Sequence, residues 1–209
     1  FSADCFGNAL EAYLTLRAEH PSPMSCFFKT PFFEIVSLSP ERFIEKSGDK
    51  FRSCPIKGTS PKSPDKSKDQ TLIQALKESE KDRAENLMIV DLIRNDMGRI
   101  CQTGSVKTLK LFDVETFPNV HHLVSTIEGE ALPELKISQL FKALFPGGSI
   151  TGAPKIRAMQ IIEELEEHRR SIYCGSIVYL GANGDIDSNI AIRTLLKKDN
   201  KIHCWGGGG

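Results

Sequence analysis

The sequence has no excess of charge of either sign, because 27 basic residues balance 27 acidic ones over 209 positions. Zero net charge without a long basic run argues against binding to nucleic acid or to an anionic membrane surface. No apolar run approaches the roughly 20 residues that a membrane-spanning helix needs. No internal repeat is present, which argues against a repeat architecture. These absences favour an ordinary globular domain.

The cysteines are scattered and include no CxxC pair: Cys5, Cys26, Cys54, Cys101, Cys174 and Cys204. A structural zinc site needs cysteines and histidines at close spacing, so the sequence argues against one. A disulfide framework is the weaker alternative for a domain of this size, and reduced thiols indicate a cytoplasmic protein. The chain begins with Phe1 and ends in four glycines. Since a glycine run closes neither a helix nor a strand, we expect a section of a longer protein.

Hydrophobic periodicity and turn residues predict hairpins between helices. Helices are predicted over 9–19, 71–95 (as two helices or one bent helix), 137–144 and 154–167. Strands are predicted near 25–28, 32–38, 43–54 (a hairpin), 106–112, 121–128, 173–180, 186–197 and up to 205. This order lacks regular β-α-β alternation, so it favours an α+β fold with mostly antiparallel sheet.

Lys57 stands between Ile56 and Gly58 in the run PIKGT at 55–59. We expect it to lie where the predicted hairpin gives way to a loop, a position that can hold an amine against a ligand. A loop lysine on its own is most often merely solvated. The polar stretch at 60–70 is predicted to be a mobile loop beside Lys57, and it would suit an active-site lid.

Glu85 lies on the predicted helix 71–95 and shares a stripe with Met88 and Ile89. A buried carboxylate needs a cation, a metal ion or a proton. A favourable helix-dipole position or an ion pair with Arg83 or Arg94 explains the same spacing equally well.

The run from 146 to 155 carries glycines and hydroxyl residues directly into a predicted helix, with Pro154 near its first position. Free amides at such a helix start favour an anion. A carboxylate fits as well as a phosphate, because the run lacks the P-loop pattern. Thr151 is equally suited to be a plain N-cap.

Arg193 is predicted to share a strand face with Ala191 and Leu195. Its planar guanidinium can bind a carboxylate of a ligand through two parallel hydrogen bonds. The alternative is that Arg193 forms a structural ion pair with a glutamate of the protein. His121 and His122 are neighbours on a predicted strand, so they point to opposite faces. We favour His122 for the site, although a lone strand histidine more often packs or lies at the surface.

Taken together, these runs resemble the chorismate-utilising enzymes, a family that includes anthranilate, aminodeoxychorismate, isochorismate and salicylate synthases. The matching segments follow the family's order from about residue 8 onward: SPERF at 39–43, PIKGT at 55–59, RAENLMIVDLIRND at 83–96, VHHLVSTI at 120–127, FPGGSITGAPKIRAM at 145–159, YCG at 173–175 and IAIRTL at 190–195. The resemblance implies layered, mostly antiparallel sheets with flanking helices. It also implies that 1–209 is a partial chorismate-binding catalytic domain that lacks the N-terminal part and the final C-terminal helices.

Lys57 distinguishes members of this family. Anthranilate synthases carry alanine at this position, whereas lysine is typical of the members that aminate chorismate at C4, towards 4-aminobenzoate and folate. The resemblance therefore implies chorismate amination through a covalent Lys57 intermediate, with ammonia from a glutamine amidotransferase that is a separate subunit or a fused domain. An anthranilate or isochorismate-type synthase with an unusual lysine is the first alternative, and a non-catalytic relative is the second.

The resemblance assigns the other roles residue by residue. Glu41 and His122 are catalytic candidates, with Glu41 as the acid for the leaving hydroxyl, and Glu85 is a ligand of Mg²⁺. The expected substrate-binding residues are Thr59, Ser149, Thr151, Gly152, Tyr173, Arg193, Gly207, Gly208 and Gly209. The family's second metal-binding glutamate follows the glycine run. The 209 residues alone are therefore expected to bind Mg²⁺ poorly and to turn over little substrate.

Overall fold

The computed structural model describes residues 1–207, which form six helices and twelve strands. The helices are α1 (Ala9–Glu19), α2 (Lys66–Glu78), α3 (Glu80–Met97), α4 (Ile137–Leu144), α5 (Gly148–Thr151) and α6 (Lys155–Leu165). The strands are β1 (Ser2–Asp4), β2 (Met24–Lys29), β3 (Glu34–Ser39), β4 (Arg42–Ser47), β5 (Lys50–Ser53), β6 (Ile56–Pro61), β7 (Lys107–Thr116), β8 (Val120–Glu130), β9 (Val178–Leu180), β10 (Ile186–Asn189), β11 (Thr194–Lys198) and β12 (Lys201–Cys204).

The strands form two antiparallel sheets. The five-stranded sheet has the order β1-β12-β11-β3-β2. The seven-stranded sheet has the order β6-β8-β5-β4-β10-β9, and β7 pairs with β8 in addition. This arrangement confirms the predicted α+β fold of antiparallel sheets with flanking helices. Within the described residues, no helix has both the length and the apolar character to cross a membrane.

The chain crosses from one sheet to the other twice at a single corner, between β3 and β4 and between β10 and β11. β3 pairs with β11 in the five-stranded sheet, whereas β4 pairs with β10 in the seven-stranded sheet. At the corner, the Ser39 hydroxyl donates to the carbonyl of Ile190 over 2.6 Å, and the Ile190 amide donates to the carbonyl of Glu41 over 3.1 Å. The Leu38 amide donates to the carbonyl of Arg193 over 3.0 Å. The corner thus fixes the backbone on both sides of the crossing.

Helix α3 packs on β8 and builds much of the core of the larger sheet. Val90 and Met97 belong to its buried apolar cluster. Asn86, which is fully buried, donates to the carbonyl of Leu123 over 3.3 Å and accepts from the Ser125 hydroxyl over 2.5 Å. Because a buried amide is costly unless its hydrogen bonds are made, these bonds fix the position of α3 along β8.

Several predicted elements are confirmed, and others are wrong. The bounds of α1 and α4 match the prediction, and 71–95 falls into two helices. The predicted mobile loop at 60–70 is wrong, because β6 runs to Pro61 and α2 begins at Lys66. Asp65 caps that helix by accepting from the amides of residues 67 and 68. The strand predicted over 186–197 is interrupted at the sheet crossing, and the one predicted over 173–180 is confined to β9.

A buried ion pair joins α3 to α6. Lys155 contacts the carboxylate of Asp96 and donates to the carbonyl of Leu144 over 2.8 Å. Removing one member of a buried pair leaves the other unpaired, so we expect Lys155→Met to lower the free energy of unfolding by on the order of 3 kcal/mol. Lys29→Met is the matched control, because Lys29 is 68% exposed in its pair with Glu34. In urea denaturation, Lys29→Met should lower the free energy of unfolding by less than about 1 kcal/mol. An equal loss for both variants would contradict the account.

Candidate active site

A cleft of about 590 Å³ lies at the corner where the two sheets meet. It is lined by eight of the residues that the sequence predicted for the site: Glu41, Lys57, Thr59, His122, Ser149, Tyr173, Arg193 and Gly207. These residues come from distant segments of the chain, so the fold and not the local sequence assembles the cleft.

Lys57 lies within β6, so the predicted position at the start of a loop is wrong. The pairing of β6 with β8 shifts register between Ile56 and Thr59, which makes a bulge at Lys57 and Gly58. Gly58 has φ of +87°, and a Cβ at this position would come within 2.9 Å of the Cβ of Asp82 in α3. Glycine is therefore required beside the lysine, because both the backbone conformation and the close helix exclude a side chain.

Glu41 is the buried carboxyl of the cleft, with only 6% of the residue exposed. Burial raises the pKa of Glu41 to about 7, while the Ser149 hydroxyl, the charge of Lys57 and the backbone N–H of Ile56 limit the rise. Glu41 therefore holds a proton for much of the time near neutral pH. Such a carboxyl can donate a proton to a leaving hydroxyl.

His122 forms the wall of the cleft on β8, whereas His121 faces away from it. The Nδ1 of His122 is 2.9 Å from the hydroxyl of Thr59. Burial, followed by the positive charge of Arg193, lowers the pKa of His122, so its imidazole is neutral at physiological pH. On the opposite face, His121 is bonded through its two ring nitrogens to Asp69 and Thr116, each over 2.9 Å.

Arg193 reaches the cleft from the sheet crossing and not from a strand face, so the predicted strand position is wrong. It is exposed and has φ of +49° between β10 and β11. Within residues 1–207, the ion pairs that arginines form involve other arginines and not Arg193. Its guanidinium is therefore available to a ligand carboxylate.

Tyr173 faces the end of the described chain across the cleft. Its hydroxyl lies 3.3 Å from the place where a Cβ on Gly207 would stand. A side chain at 207 would therefore crowd the phenol, and glycine lets the backbone approach Tyr173 closely.

Some predicted residues lie outside this cleft. Thr151 ends α5 and donates from its hydroxyl to the carbonyl of Gly147 over 3.1 Å, so it is not an N-cap. Gly152 follows it with φ of +90°. Gly208 and Gly209 lie outside the described residues.

Glu85 does not line the cleft either. It lies on α3 one turn beyond Asp82, and its carboxylate is 3.7 Å from the amine of Lys81. Among residues 1–207, no group of three histidine, cysteine, aspartate or glutamate side chains is placed to hold a metal ion. Mg²⁺ prefers several oxygen ligands at short distances. The described part of the chain therefore does not bring together three such ligands around Glu85.

The sequence did not single out several other residues that line the cleft: Pro40, Ile56, Ile150, Arg170, Cys174, Ile192, Cys204, Trp205 and Gly206. Most of these contribute apolar surface or backbone; several lie within the family motifs but carry no polar group that would mark them as site residues. Arg170 is different, because it stands three positions before Tyr173 and its backbone carbonyl accepts from the Tyr173 amide over 2.8 Å. Its position three residues before Tyr173 is the feature of the sequence that could have indicated Arg170 as a cleft residue.

Comparison with known proteins identifies the family. The family model described as chorismate binding enzyme matches residues 1–209. This chain belongs to the chorismate-binding enzymes. It is 51% identical over 209 residues to aminodeoxychorismate synthase component 1 from Escherichia coli strain K12, and 49% identical to the protein of that name from Klebsiella aerogenes. Each alignment covers 100% of this chain and 46% of the relative.

The solved structures agree with this assignment. Anthranilate synthase component I from Streptococcus pneumoniae superimposes with a TM-score of 0.88 at 40% identity, covering 97% of this chain and 44% of that one. The chain therefore spans about half the length of the relatives it matches. The predicted family and fold are confirmed, and relatives with different products share this fold.

The buried Glu41 carboxyl predicts a pH-dependent difference in stability. A folded-state pKa of about 7 means that its contribution is fully present below the ordinary pKa of about 4.5 and is lost as the pH rises through about 7. Glu41→Gln removes that loss. The free energy of unfolding of the variant, taken relative to that of wild type, should therefore rise by up to about 3 kcal/mol between pH 5 and pH 8.5. Urea denaturation at the two pH values measures this difference.

The exposed Glu19 at the end of α1 provides the control. Glu19→Gln should show the same difference from wild type at both pH values. If Glu41→Gln behaved in the same way, burial would not be the cause of the raised pKa.

Proposed function

We propose that this chain carries the chorismate site of an enzyme that aminates chorismate at C4 to give 4-amino-4-deoxychorismate. The observation that carries the proposal is the placement of Lys57 in the same cleft as the proton-holding carboxyl of Glu41. The names of relatives that are 49–51% identical over the whole chain support it.

In the first step, the amine of Lys57, which must give up its ammonium proton to become a nucleophile, attacks C2 of chorismate. The C2–N bond forms, both ring double bonds shift (from C1=C2 and C5=C6 to C1=C6 and C4=C5), and the C4–O bond breaks. Glu41 gives its proton to the departing hydroxyl, which leaves as water. The products of this step are a protonated secondary amine on Lys57 and an ionised Glu41.

In the second step, ammonia attacks C4. Both ring double bonds shift back, the C2–N bond breaks, and Lys57 leaves as a neutral amine. The new ammonium group at C4 returns a proton to Glu41. Two transposing displacements thus exchange hydroxyl for amine at one carbon, which divides one difficult substitution into two easier ones.

The remaining cleft residues orient the substrate in this proposal. Arg193 and Tyr173 bind the enolpyruvyl carboxylate, together with the backbone from Gly207 onward. Thr59 and the neutral imidazole of His122 act as a hydrogen-bonded pair beside Lys57. Ser149, on α5, bounds the substrate on the Glu41 side, while Thr151 and Gly152 end the same helix outside the cleft.

We also propose Mg²⁺ as the cofactor, with Glu85 as one ligand and the other ligands supplied from outside the described residues. When bound, the ion would neutralise a carboxylate of the substrate. The word "component" in the names of the relatives supports a partner that supplies ammonia, for which a glutamine amidotransferase is the proposed source. A cytoplasmic location is part of the same proposal.

The test incubates the full-length protein with chorismate, Mg²⁺ and ammonium, and identifies the product by mass and ultraviolet spectrum. We expect 4-amino-4-deoxychorismate with the pyruvyl ether intact. Lys57→Ala should reduce this product to background, because the covalent route is removed. Lys62→Ala changes an exposed lysine near the same strand and should leave the rate unchanged.

Other products would contradict the proposal in defined ways. Anthranilate with release of pyruvate would mean that the enzyme aminates C2 in spite of its lysine. The absence of any product from folded protein would favour a non-catalytic relative.

A further inference from the structure

Arg170 occupies the wall between the cleft and a second cavity of about 620 Å³. Four residues of this wall line both cavities: Ile150, Arg170, Tyr173 and Cys174. Three segments meet there: the loop around α5, the end of α6, and the turn that carries Tyr173. The side chain of Arg170 is 24% exposed and contacts all three.

The contacts of the guanidinium run in different directions. Nε and Nη2 donate to the carboxylate of Glu166, just beyond α6, with the shortest contact at 2.6 Å. Nη1 donates to the carbonyl of Ile150 over 3.1 Å and to the sulfur of Cys174 over 3.5 Å. The guanidinium carbon also lies 5.9 Å from the centre of the Tyr173 ring.

These contacts connect Arg170 to residues that the proposed function uses. Ile150 follows Ser149, whose hydroxyl interacts with the carboxyl of Glu41. Cys174 follows Tyr173, and its amide donates to the carbonyl of Ala191 over 2.9 Å, close to Arg193. Cys174 has φ of +64°, a conformation that a non-glycine residue adopts only when its surroundings hold it there.

We infer that Arg170 is a positioning residue, which holds Tyr173 and the Ser149-bearing helix α5 in the places where they bind chorismate. The inference rests on the proposed function for the identity of the substrate. Lysine should not replace it, because an ammonium is a single point of charge, whereas the guanidinium makes its bonds to Glu166, Ile150 and Cys174 at once through a rigid fork.

The test compares variants of the full-length protein. We expect Arg170→Ala to raise KM for chorismate by about 10- to 100-fold, because small displacements of binding groups are costly. Arg170→Lys should raise KM at least about threefold, since it keeps the charge but loses the fork. A merely structural role would reduce the active fraction, and hence kcat, while leaving KM unchanged.

Arg169→Ala is the matched control. It removes the same charge from the adjacent position, where the side chain is 88% exposed and pairs with Glu163 over 3.3 Å. We expect kcat and KM within about twofold of wild type. Wild-type KM in folded Arg170→Ala, or in Arg170→Lys if the alanine variant does not fold, would overturn the inference.

A second readout is independent of turnover. Loss of the Arg170 contacts should loosen the turn that carries Tyr173 and Cys174, and so expose the buried thiol of Cys174. N-ethylmaleimide should therefore label this thiol at least about tenfold faster in Arg170→Ala than in Arg169→Ala. Peptide mass spectrometry measures the labelling. If wild type turns over no chorismate but this difference is present, the proposed function fails and the positioning role stands. Equal labelling together with wild-type KM would reject the positioning role alone.

Discussion

The hydroxyl of Ser39 donates to the carbonyl of Ile190 at the corner where both pairs of strands leave one sheet for the other. This bond and its backbone neighbours join two crossings that are 151 positions apart in the chain. Because Glu41 lies in one crossing and Arg193 in the other, the corner brings an acid and a cation to the same cleft. The larger sheet adds Lys57 and His122 from neighbouring strands. The site thus depends on how the sheets are joined.

The chemistry of the cleft follows from burial. Glu41 is removed from water, so its pKa rises to about 7 and it keeps a transferable proton. Burial acts in the opposite direction on His122 and favours its neutral form. Lys57 is presented by a bulge that the closeness of Asp82 restricts to glycine at the next position. A protonated carboxyl, a neutral imidazole and an amine held on a bulge therefore result from local desolvation and backbone shape.

The sequence predicted the features that depend on interactions between residues close together in the chain. Asn8 caps α1 at the predicted start, and the alternation of side chains along β8 separated His122 from His121 correctly. The family motifs predicted most of the cleft. The break before Arg193 was missed because it is caused by the passage between sheets, a long-range event. The bulge at Lys57 depends on packing against α3, and Arg170 belongs to no motif that was recognised. Charged residues at 60–70 indicated a loop, although the cap at Asp65 starts a helix there.

Mass spectrometry of Lys57 during turnover tests the central claim most directly. Full-length protein would be mixed with chorismate and Mg²⁺ without ammonia, quenched in acid, digested and compared with unreacted protein. The account predicts that the peptide containing Lys57 gains the mass of chorismate less one water, and that ammonium added before the quench removes this adduct. Formation of the C4-aminated product with Lys57 unmodified under both conditions would contradict covalent catalysis.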